Sequence, residues 1–155
     1  MLGPGDLNAF LKGRRVKYEL VKVLKAATSI EAARSLGVDL SFIAKTVVML
    51  TDTGYPILVV IRADKRVNLG ELARLLGLNK LRLATGSEVA EITGYAPGGV
   101  PPLAHARKLP VYLDKELLEL EYVYTGGGDD KHLLRISPAD IVKMAEATVV
   151  NIPKK

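Results

Sequence analysis

A loop rich in glycine and proline is the stretch of this sequence best suited to chemistry. Residues 94–105 read GYAPGGVPPLAH, with Gly98 and Gly99 at the centre and Pro101 and Pro102 just after Val100. Glycine lets another group approach the main chain, whereas proline fixes φ and has no N–H. The pattern therefore indicates a loop of set shape that presents backbone amides, although composition alone favours a tight connection between two elements.

Side chains capable of covalent or metal chemistry are scarce. The chain has no cysteine, and its two histidines, His105 and His132, are far apart in sequence. Thiolate chemistry is thus excluded, and no ligand spacing indicates a zinc site. The motifs of serine hydrolases, P-loop proteins, dinucleotide-binding proteins and zinc proteases are also missing. An enzyme of this composition would act through backbone amides and a single cation, without a metal or a cofactor, on a substrate that is already reactive, such as an activated ester.

The basic residues are concentrated near the N-terminus. The net charge is +5, and residues 1–25 hold six basic and two acidic side chains. Such a segment is typical of a surface that binds a polyanion such as RNA, although a solvated surface would look the same. The candidate RNA-binding residues are Lys12, Arg14, Arg15 and Lys17.

The length of 155 residues favours a single domain over residues 1–155. No apolar run is long enough to cross a membrane, and the N-terminus lacks the layout of a signal peptide. We therefore expect a cytoplasmic protein without a membrane partner.

Capping signals predict the helices that must position these residues. Thr28 with Glu31, and Thr85 with Glu88, form two capping boxes, and the helices they begin should end at Gly37 and Gly94. Further helices are predicted after Asn68 and Ser137, and over Asp6–Lys12. In the first boxed helix, Ile30, Ala33 and Leu36 share one apolar face.

Runs rich in β-branched residues predict eight strands. They are YELVKV, KTVVML, YPILVVIR, KLRLA, PVYLD, EYVYT, HLLRIS and ATVVNI. The segment TDTG joins the second and third as a hairpin, and TGGGDD joins the sixth and seventh. Because hairpins interrupt the alternation of strands and helices, we expect an α+β fold with a mixed sheet rather than a purely parallel one.

Four stretches of the chain together resemble the YbaK/ProX family of aminoacyl-tRNA editing domains. They are EAARSLGVDLSFIAKTVVML, VNLGELARLLGLNKLRLAT, EITGYAPGGVPPL and the pair VYTGGG and LRISPADI. The resemblance runs from about Thr28 to Ile152. It implies a mostly antiparallel, barrel-like mixed sheet surrounded by helices, with a cleft for the 3′ end of tRNA. It also implies hydrolysis of a mischarged aminoacyl ester, such as Cys- or Ala-tRNA(Pro), without a metal.

The resemblance also assigns roles to residues. The family's lysine falls on Lys45, where it would position the ester near the terminal ribose and phosphate. Its loop of backbone donors falls on Gly98, Gly99, Val100 and Pro101, and its second glycine turn on Thr125, Gly126 and Gly127. The amides of Gly99 and Val100 would then stabilise the oxyanion.

Four other residues carry less specific expectations. Thr46 either adds a hydroxyl to the site or is simply a strand residue. His132 would contact RNA or water, and Tyr95 would pack and anchor the loop. Many members of the family end the loop with glycine, whereas this chain has Ala104 followed by His105.

Three functions remain open at the level of sequence. The first is a stand-alone editing hydrolase that deacylates mischarged tRNA, with water or the substrate's own side chain as the nucleophile. The second is a non-catalytic regulatory module that binds tRNA or an aminoacyl-tRNA synthetase. The third is a pocket for a free small acid or amide. The expected partners are the acceptor end of tRNA and, in the second case, a synthetase.

Overall fold

Five helices and eight strands make up the protein in a computed structural model that describes residues 1–155. The helices are α1 (Pro4–Leu11), α2 (Ser29–Leu36), α3 (Leu69–Leu75), α4 (Gly86–Thr93) and α5 (Pro138–Ala145). The strands are β1 (Tyr18–Lys22), β2 (Ala44–Thr51), β3 (Pro56–Arg62), β4 (Leu81–Leu83), β5 (Val111–Asp114), β6 (Val123–Gly126), β7 (His132–Ile136) and β8 (Thr148–Val150). Two 3₁₀ turns, Leu40–Phe42 and Lys115–Glu119, complete the secondary structure. None of the helices has the length and apolar character needed to cross a membrane.

The predicted helix starts are confirmed by their hydrogen bonds. Thr28 accepts from the Glu31 amide and Thr85 from the Glu88 amide, and each glutamate reaches back to the cap residue. Asn68 and Ser137 cap α3 and α5 through their side chains. These bonds satisfy amides that have no partner within the helix, which explains why the four starts could be predicted from sequence.

The strands form two open sheets. The larger has the order β4-β2-β3-β5-β8, in which β2 pairs antiparallel with β3 and β4, whereas β3-β5 and β5-β8 are parallel. The smaller is antiparallel, with the order β1-β7-β6. The five helices and the mixture of parallel and antiparallel strand pairs confirm the predicted α+β fold class. The sheet was expected to be barrel-like, but the two sheets stay open and do not close into one barrel.

One isolated bridge joins the two sheets. Ile43, immediately before β2, pairs in parallel with Tyr124 of β6, and no ladder continues beyond this pair. The seam between β2 and β6 therefore opens just past the bridge. This opening, rather than a closed barrel interior, is where the site described below lies.

The main core fills the space between the two sheets. It includes Val48 and Val60 of the larger sheet and Leu134 of the smaller one, closed at one side by Leu7 and Leu11 of α1. Strand β3 is buried on both faces from Pro56 to Ile61, as a continuous apolar run predicts for a central strand. Helix α3 covers the outer face of the larger sheet.

The apolar face that the sequence gives α2 is only partly buried. Ala33 is buried, but Ile30 is 56% exposed, and Ala32 is buried in its place. The helix is turned so that its alanines pack against Ile43 and Leu133. A residue as small as alanine allows α2 to lie close to the seam between the sheets, which brings the N-terminus of the helix to the site.

Candidate active site

A cavity of about 310 Å³ occupies the open seam between the two sheets. Four elements supply its walls: the start of β2, the end of β6, the N-terminal turn of α2 and the glycine-proline loop. The lining residues from the sequence predictions are Lys45, Thr46, Gly98, Val100, Thr125 and Gly126. Residues separated by up to 81 positions in the chain thus meet at one place. The volume is at the small end of ligand pockets and suits a small acyl group.

Lys45 supplies the only ammonium group among the residues that line the cavity. Its side chain is half-buried and forms neither a hydrogen bond nor an ion pair with the protein. Burial lowers the pKa of Lys45, the nearby Arg66 lowers it further, and Asp64 opposes both effects. Asp64 cannot neutralise this lysine fully, because its carboxylate accepts two hydrogen bonds, of 2.8 and 2.5 Å, from Arg62. The lysine is thus a free cation at the wall of the cavity.

Two residues of the glycine-proline loop that line the cavity have unpaired amides. Gly98 and Val100 both line it, and neither backbone N–H donates to a protein group. A hydrogen-bond donor without an acceptor at a cavity wall can serve a developing negative charge. These two amides are therefore the candidate oxyanion donors.

Two glycines allow the cavity walls to come together. A Cβ on Gly126 would lie 2.0 Å from the carbonyl oxygen of Val100, which real structures do not tolerate. Gly98 has φ of +92°, and a Cβ there would lie 3.0 Å from the Ala27 carbonyl oxygen. Gly126 thus fixes how closely β6 approaches the loop, and Gly98 fixes how closely the loop approaches the segment before α2.

Two residues at the cavity have buried hydroxyls without hydrogen-bond partners. The Oγ1 atoms of Thr46 and Thr125 are shielded from solvent and form no hydrogen bond, although both residues line the cavity. Thr125 as a whole is only 1% exposed. Because an unpaired buried hydroxyl costs free energy, these groups are candidates for contacting a bound substrate rather than for stabilising the fold.

Replacing Thr125 with valine should test whether its hydroxyl is unpaired. We expect the free energy of unfolding to stay unchanged or to rise by up to about 1 kcal/mol, because the isosteric methyl removes an unsatisfied polar group. The matched control is Thr93→Val. The Thr93 hydroxyl donates to the Val89 carbonyl at 2.8 Å and accepts from the Tyr95 amide, so its loss should cost about 1–3 kcal/mol. Urea unfolding measures the free energy of unfolding of both variants. An equal loss of stability in the two would show that the Thr125 hydroxyl is hydrogen-bonded.

Four of the predicted catalytic and substrate-binding residues do not line the cavity: Gly99, Pro101, Gly127 and His132. The Gly99 amide, expected to be an oxyanion donor, instead donates to the Ala96 carbonyl at 3.2 Å. Gly99 is buried against the backbone of Asp129, and its own carbonyl accepts from the Gly128 amide at 2.8 Å. The prediction for the Gly99 amide is therefore corrected: this residue anchors the loop to the second glycine turn. Pro101 is buried behind the loop, and Gly127 packs against the backbone at His132.

His132 also lies away from the cavity. Its Nδ1 atom is 2.8 Å from a carboxylate oxygen of Asp129, and its neighbour Leu133, on the opposite face of β7, is the residue that reaches the cavity. Hydrogen bonds to His132 and to the Lys131 amide lower the pKa of Asp129, although burial of its carboxyl opposes them. The pair therefore holds the turn between β6 and β7, and the structure does not bring His132 to the predicted substrate site.

The predicted RNA-binding residues lie at the far end of the smaller sheet. β1 begins at Tyr18 opposite Ile136, whereas the cavity residue Leu133 pairs near the other end of the strand. The segment of Lys12, Arg14, Arg15 and Lys17 precedes Tyr18, so it is separated from the cavity by about 10–13 Å of strand. Arg15 and Lys17 border a separate depression with Tyr122 and Arg135.

The sequence predictions missed the wall formed by Ala26, Ala27, Thr28, Ser29 and Ala32. The capping box at Thr28 was visible in the sequence, and it indicated a helix N-terminus but not what that terminus faces. Ile43, Ala44, Val48, Val89, Pro97 and Leu133 complete the lining. Small and apolar side chains carry no chemical signal of their own, so only their placement reveals them.

Comparison with known proteins agrees with this geometry. Residues 25–144 match the family model described as an aminoacyl-tRNA editing domain. The chain is 30% identical to a proline–tRNA ligase of Bacillus pumilus over 133 residues, which are 85% of this chain and 23% of the ligase. It is 25% identical to the "Putative Cys-tRNA(Pro)/Cys-tRNA(Cys) deacylase EbsC" of Enterococcus faecalis over 79% of this chain and 75% of that protein. A solved structure, "a putative trans-editing enzyme for prolyl tRNA synthetase", superimposes with a TM-score of 0.87 at 32% identity, covering 98% of this chain and 97% of the other.

The matched share of each relative's length differs widely. The chain spans only 17% to 23% of the length of the curated proline–tRNA ligases that it matches. The family model, in contrast, covers both the lysine strand and the two glycine segments that build the cavity. On this basis the chain belongs to the family of aminoacyl-tRNA editing domains.

Proposed function

We propose that this chain is an aminoacyl-tRNA deacylase that hydrolyses the ester bond of mischarged tRNA. One observation carries the proposal: a free ammonium, that of Lys45, and two unpaired amides, those of Gly98 and Val100, converge on one small cavity. The amides can stabilise the negative charge that the carbonyl oxygen of an ester gains, and the ammonium can hold the substrate beside them. The family match and the similarity to a deacylase support the same conclusion.

The reaction follows from the chemistry of the ester. Water adds to the carbonyl carbon, and the carbonyl oxygen becomes an oxyanion that the amides of Val100 and Gly98 stabilise. The bond from the carbonyl carbon to the ribose oxygen then breaks, and that oxygen leaves with a proton, so that a free amino acid and an uncharged tRNA result. A substrate with a nucleophilic side chain could attack in place of water. One backbone donor is worth about 10²–10³ in rate, which suits an ester that is already labile.

Lys45 would hold the terminal ribose and phosphate rather than take part in bond making. Its ammonium is unpaired, and the cation Arg66 lies close enough to lower its pKa. Two neighbouring positive charges favour the approach of a phosphate. The proposed partner is therefore the acceptor end of tRNA, and the cytoplasm is the proposed place of action.

The substrate proposal is narrower than the family assignment. We propose small misattached amino acids on tRNA(Pro), with cysteine and alanine as the first candidates, cleared in trans by a unit formed from residues 1–155. The small cavity, the similarity to a Cys-tRNA deacylase and the similarity to a trans-editing enzyme for prolyl-tRNA synthetase support it. Pockets distinguish one methylene only about 10–200-fold, so the preference should be graded rather than absolute.

The decisive experiment incubates the protein with a panel of mischarged tRNAs in the presence of a metal chelator. We expect loss of the aminoacyl group from at least one small amino acid on tRNA(Pro), at a rate the chelator does not change. Correctly charged Pro-tRNA(Pro) is the control and should survive. If every ester on the panel remains intact, the deacylase proposal is wrong.

A non-catalytic module that binds tRNA or a synthetase is the second candidate. The basic segment at Arg15 and Lys17, remote from the cavity, is the observation that favours it. This candidate requires binding of uncharged tRNA, with no cleavage of any mischarged one. Phosphate contacts would make that affinity fall steeply with salt, and a flat response would argue against an electrostatic contact with RNA.

A further inference from the structure

His105 is a half-buried histidine that the proposed reaction does not use. Its Nε2 atom lies 2.8 Å from the carbonyl oxygen of Pro101, four residues earlier in the glycine-proline loop. The ring does not line the cavity with Lys45 and Val100 but borders a separate depression on the other side of the loop. It therefore contacts the loop from behind, where no substrate group is expected.

A second contact holds the same segment. Tyr95 is fully buried, and its hydroxyl donates to the Ala104 carbonyl at 2.8 Å. Its ring meets the ring of His105 edge-on, with centroids 6.3 Å apart. Ala104 has φ of +64°, a conformation that costs a residue with a Cβ about 1–2 kcal/mol. The Tyr95 bond is what maintains this turn, and the turn aims His105 back at Pro101.

The direction of the His105 bond follows from its acceptor. A carbonyl oxygen can only accept, so Nε2 carries the proton in the neutral ring. Burial lowers the pKa of His105, which keeps the ring neutral near pH 7. The charged groups bordering the depression beside it are Arg14, Arg107, Lys108 and Glu146, of which the last two form an ion pair. Because a protonated ring would also donate from Nε2, the bond to Pro101 does not depend on pH.

We propose that His105 is a positioning residue that fixes the Val100–Pro101 segment and thereby aims the Val100 amide at the ester. This inference rests on the proposed function. Pro101 and Pro102 have no N–H, so the loop after Val100 can be hydrogen-bonded only through its carbonyl groups. The Val100 carbonyl lies against Gly126 on one side, and the Pro101 carbonyl is held by His105 on the other. The Val100 N–H shares its peptide plane with the Gly99 carbonyl, which accepts from the Gly128 amide. That contact holds the N-terminal side of Val100, and without His105 the C-terminal side of Val100 would be held only by its packing against Gly126.

The test compares His105→Leu with His105→Gln. Leucine fills the space without a donor, whereas the glutamine amide can again donate to Pro101. In single-turnover deacylation, His105→Leu should lower the rate constant about 10²-fold with little change in substrate affinity, because a misplaced donor affects the transition state. His105→Gln should return to within a few-fold of the wild type. The pH profiles of the wild type and His105→Gln should be parallel, which a general base at position 105 would not allow.

A measurement without substrate separates this proposal from the proposed function. The Gly128 amide donates to the Gly99 carbonyl, so its exchange rate reports whether the loop keeps its position. The internal control is the Gly54 amide, which donates to the Thr51 carbonyl in the β2–β3 hairpin. Hydrogen exchange at Gly128 should accelerate in His105→Leu and remain slow in His105→Gln, with Gly54 unchanged in both. Tyr95→Phe, which removes only the Ala104 bond, should also accelerate exchange at Gly128.

Three outcomes would overturn the role of His105. One is a normal deacylation rate constant in His105→Leu. The second is an equal reduction of that rate constant in His105→Leu and His105→Gln. The third is unchanged exchange at Gly128 in His105→Leu. Should the wild-type protein hydrolyse no ester, the exchange measurement still decides whether His105 holds the loop.

Discussion

Gly126→Ala should reduce deacylation by about 10²-fold or more, because the new methyl has no room. Its Cβ would lie 2.0 Å from the Val100 oxygen and 2.5 Å from the Val100 carbonyl carbon, both of which are backbone atoms. The clash can be relieved only if β6 and the loop separate by more than 1 Å. That shift moves the Val100 amide away from the carbonyl that it serves, so the loss should appear in the rate constant.

The same substitution should also destabilise the fold. Inserting a methyl group into a closely packed region costs about 1–3 kcal/mol. Gly5→Ala is the matched control, since a Cβ at Gly5 meets nothing within 4 Å and the residue lies in α1. This control should retain full activity and equal or slightly higher stability. Initial rates of deacylation and urea unfolding measure both effects. Wild-type activity in a folded Gly126→Ala protein would refute the proposed contact between β6 and the loop.

Lys45→Ala should remove most of the activity, with a loss of about 10²-fold in rate, because the cation that positions the ester at the cavity wall is lost. Stability should change little, since Lys45 has no ion pair and its burial disfavours the charged form. Lys80→Ala is the control, because that lysine is exposed and lies outside the cavity lining. Lys45→Arg, which retains the charge, should recover part of the rate. Normal turnover by a folded Lys45→Ala protein would contradict this role.

The pH dependence of the wild type follows from the same lysine. Burial and Arg66 lower the pKa of Lys45, so its ammonium loses the proton at a lower pH than an ordinary lysine does. A rate that depends on the ammonium should therefore fall as pH rises through this lowered value, after subtraction of the uncatalysed hydrolysis. The Lys45→Ala protein should not show that fall. A wild-type profile without an alkaline decline would exclude the ammonium from the rate-determining step.

Several features of the fold could be predicted from short stretches of sequence because their causes are local. A capping box joins residues three positions apart, such as Thr85 and Glu88. A central strand such as β3 is recognisable from its consecutive apolar residues. The prediction that Tyr95 anchors the loop was also within reach, because its partner Ala104 is only nine residues away. In each case the interacting groups lie in one segment, where residue type and spacing determine what can form.

The resemblance to a known family identified the residues of the site but not their individual tasks. Lys45, Gly98, Val100 and Gly126 were named beforehand, and the structure places all four around one cavity. Gly99 was named equally, but its amide is already bonded to Ala96. Two adjacent glycines have the same side chain, so nothing in their types distinguishes a free donor from an occupied one.

The sequence by itself determined the family and the available reactive groups. The chain resembles the editing domains, has no cysteine, and offers a lysine, a set of main-chain amides and few titratable side chains. The tertiary structure decided which of these groups are free and where they meet. Gly126 contacts Val100, and Gly98 contacts Ala27, across 26 and 71 positions of chain respectively. Ile30 is exposed for the same reason, since the orientation of α2 depends on Ile43 and Leu133. Such contacts depend on how two sheets and their loops pack together, and neither the spacing nor the type of the residues encodes that packing locally.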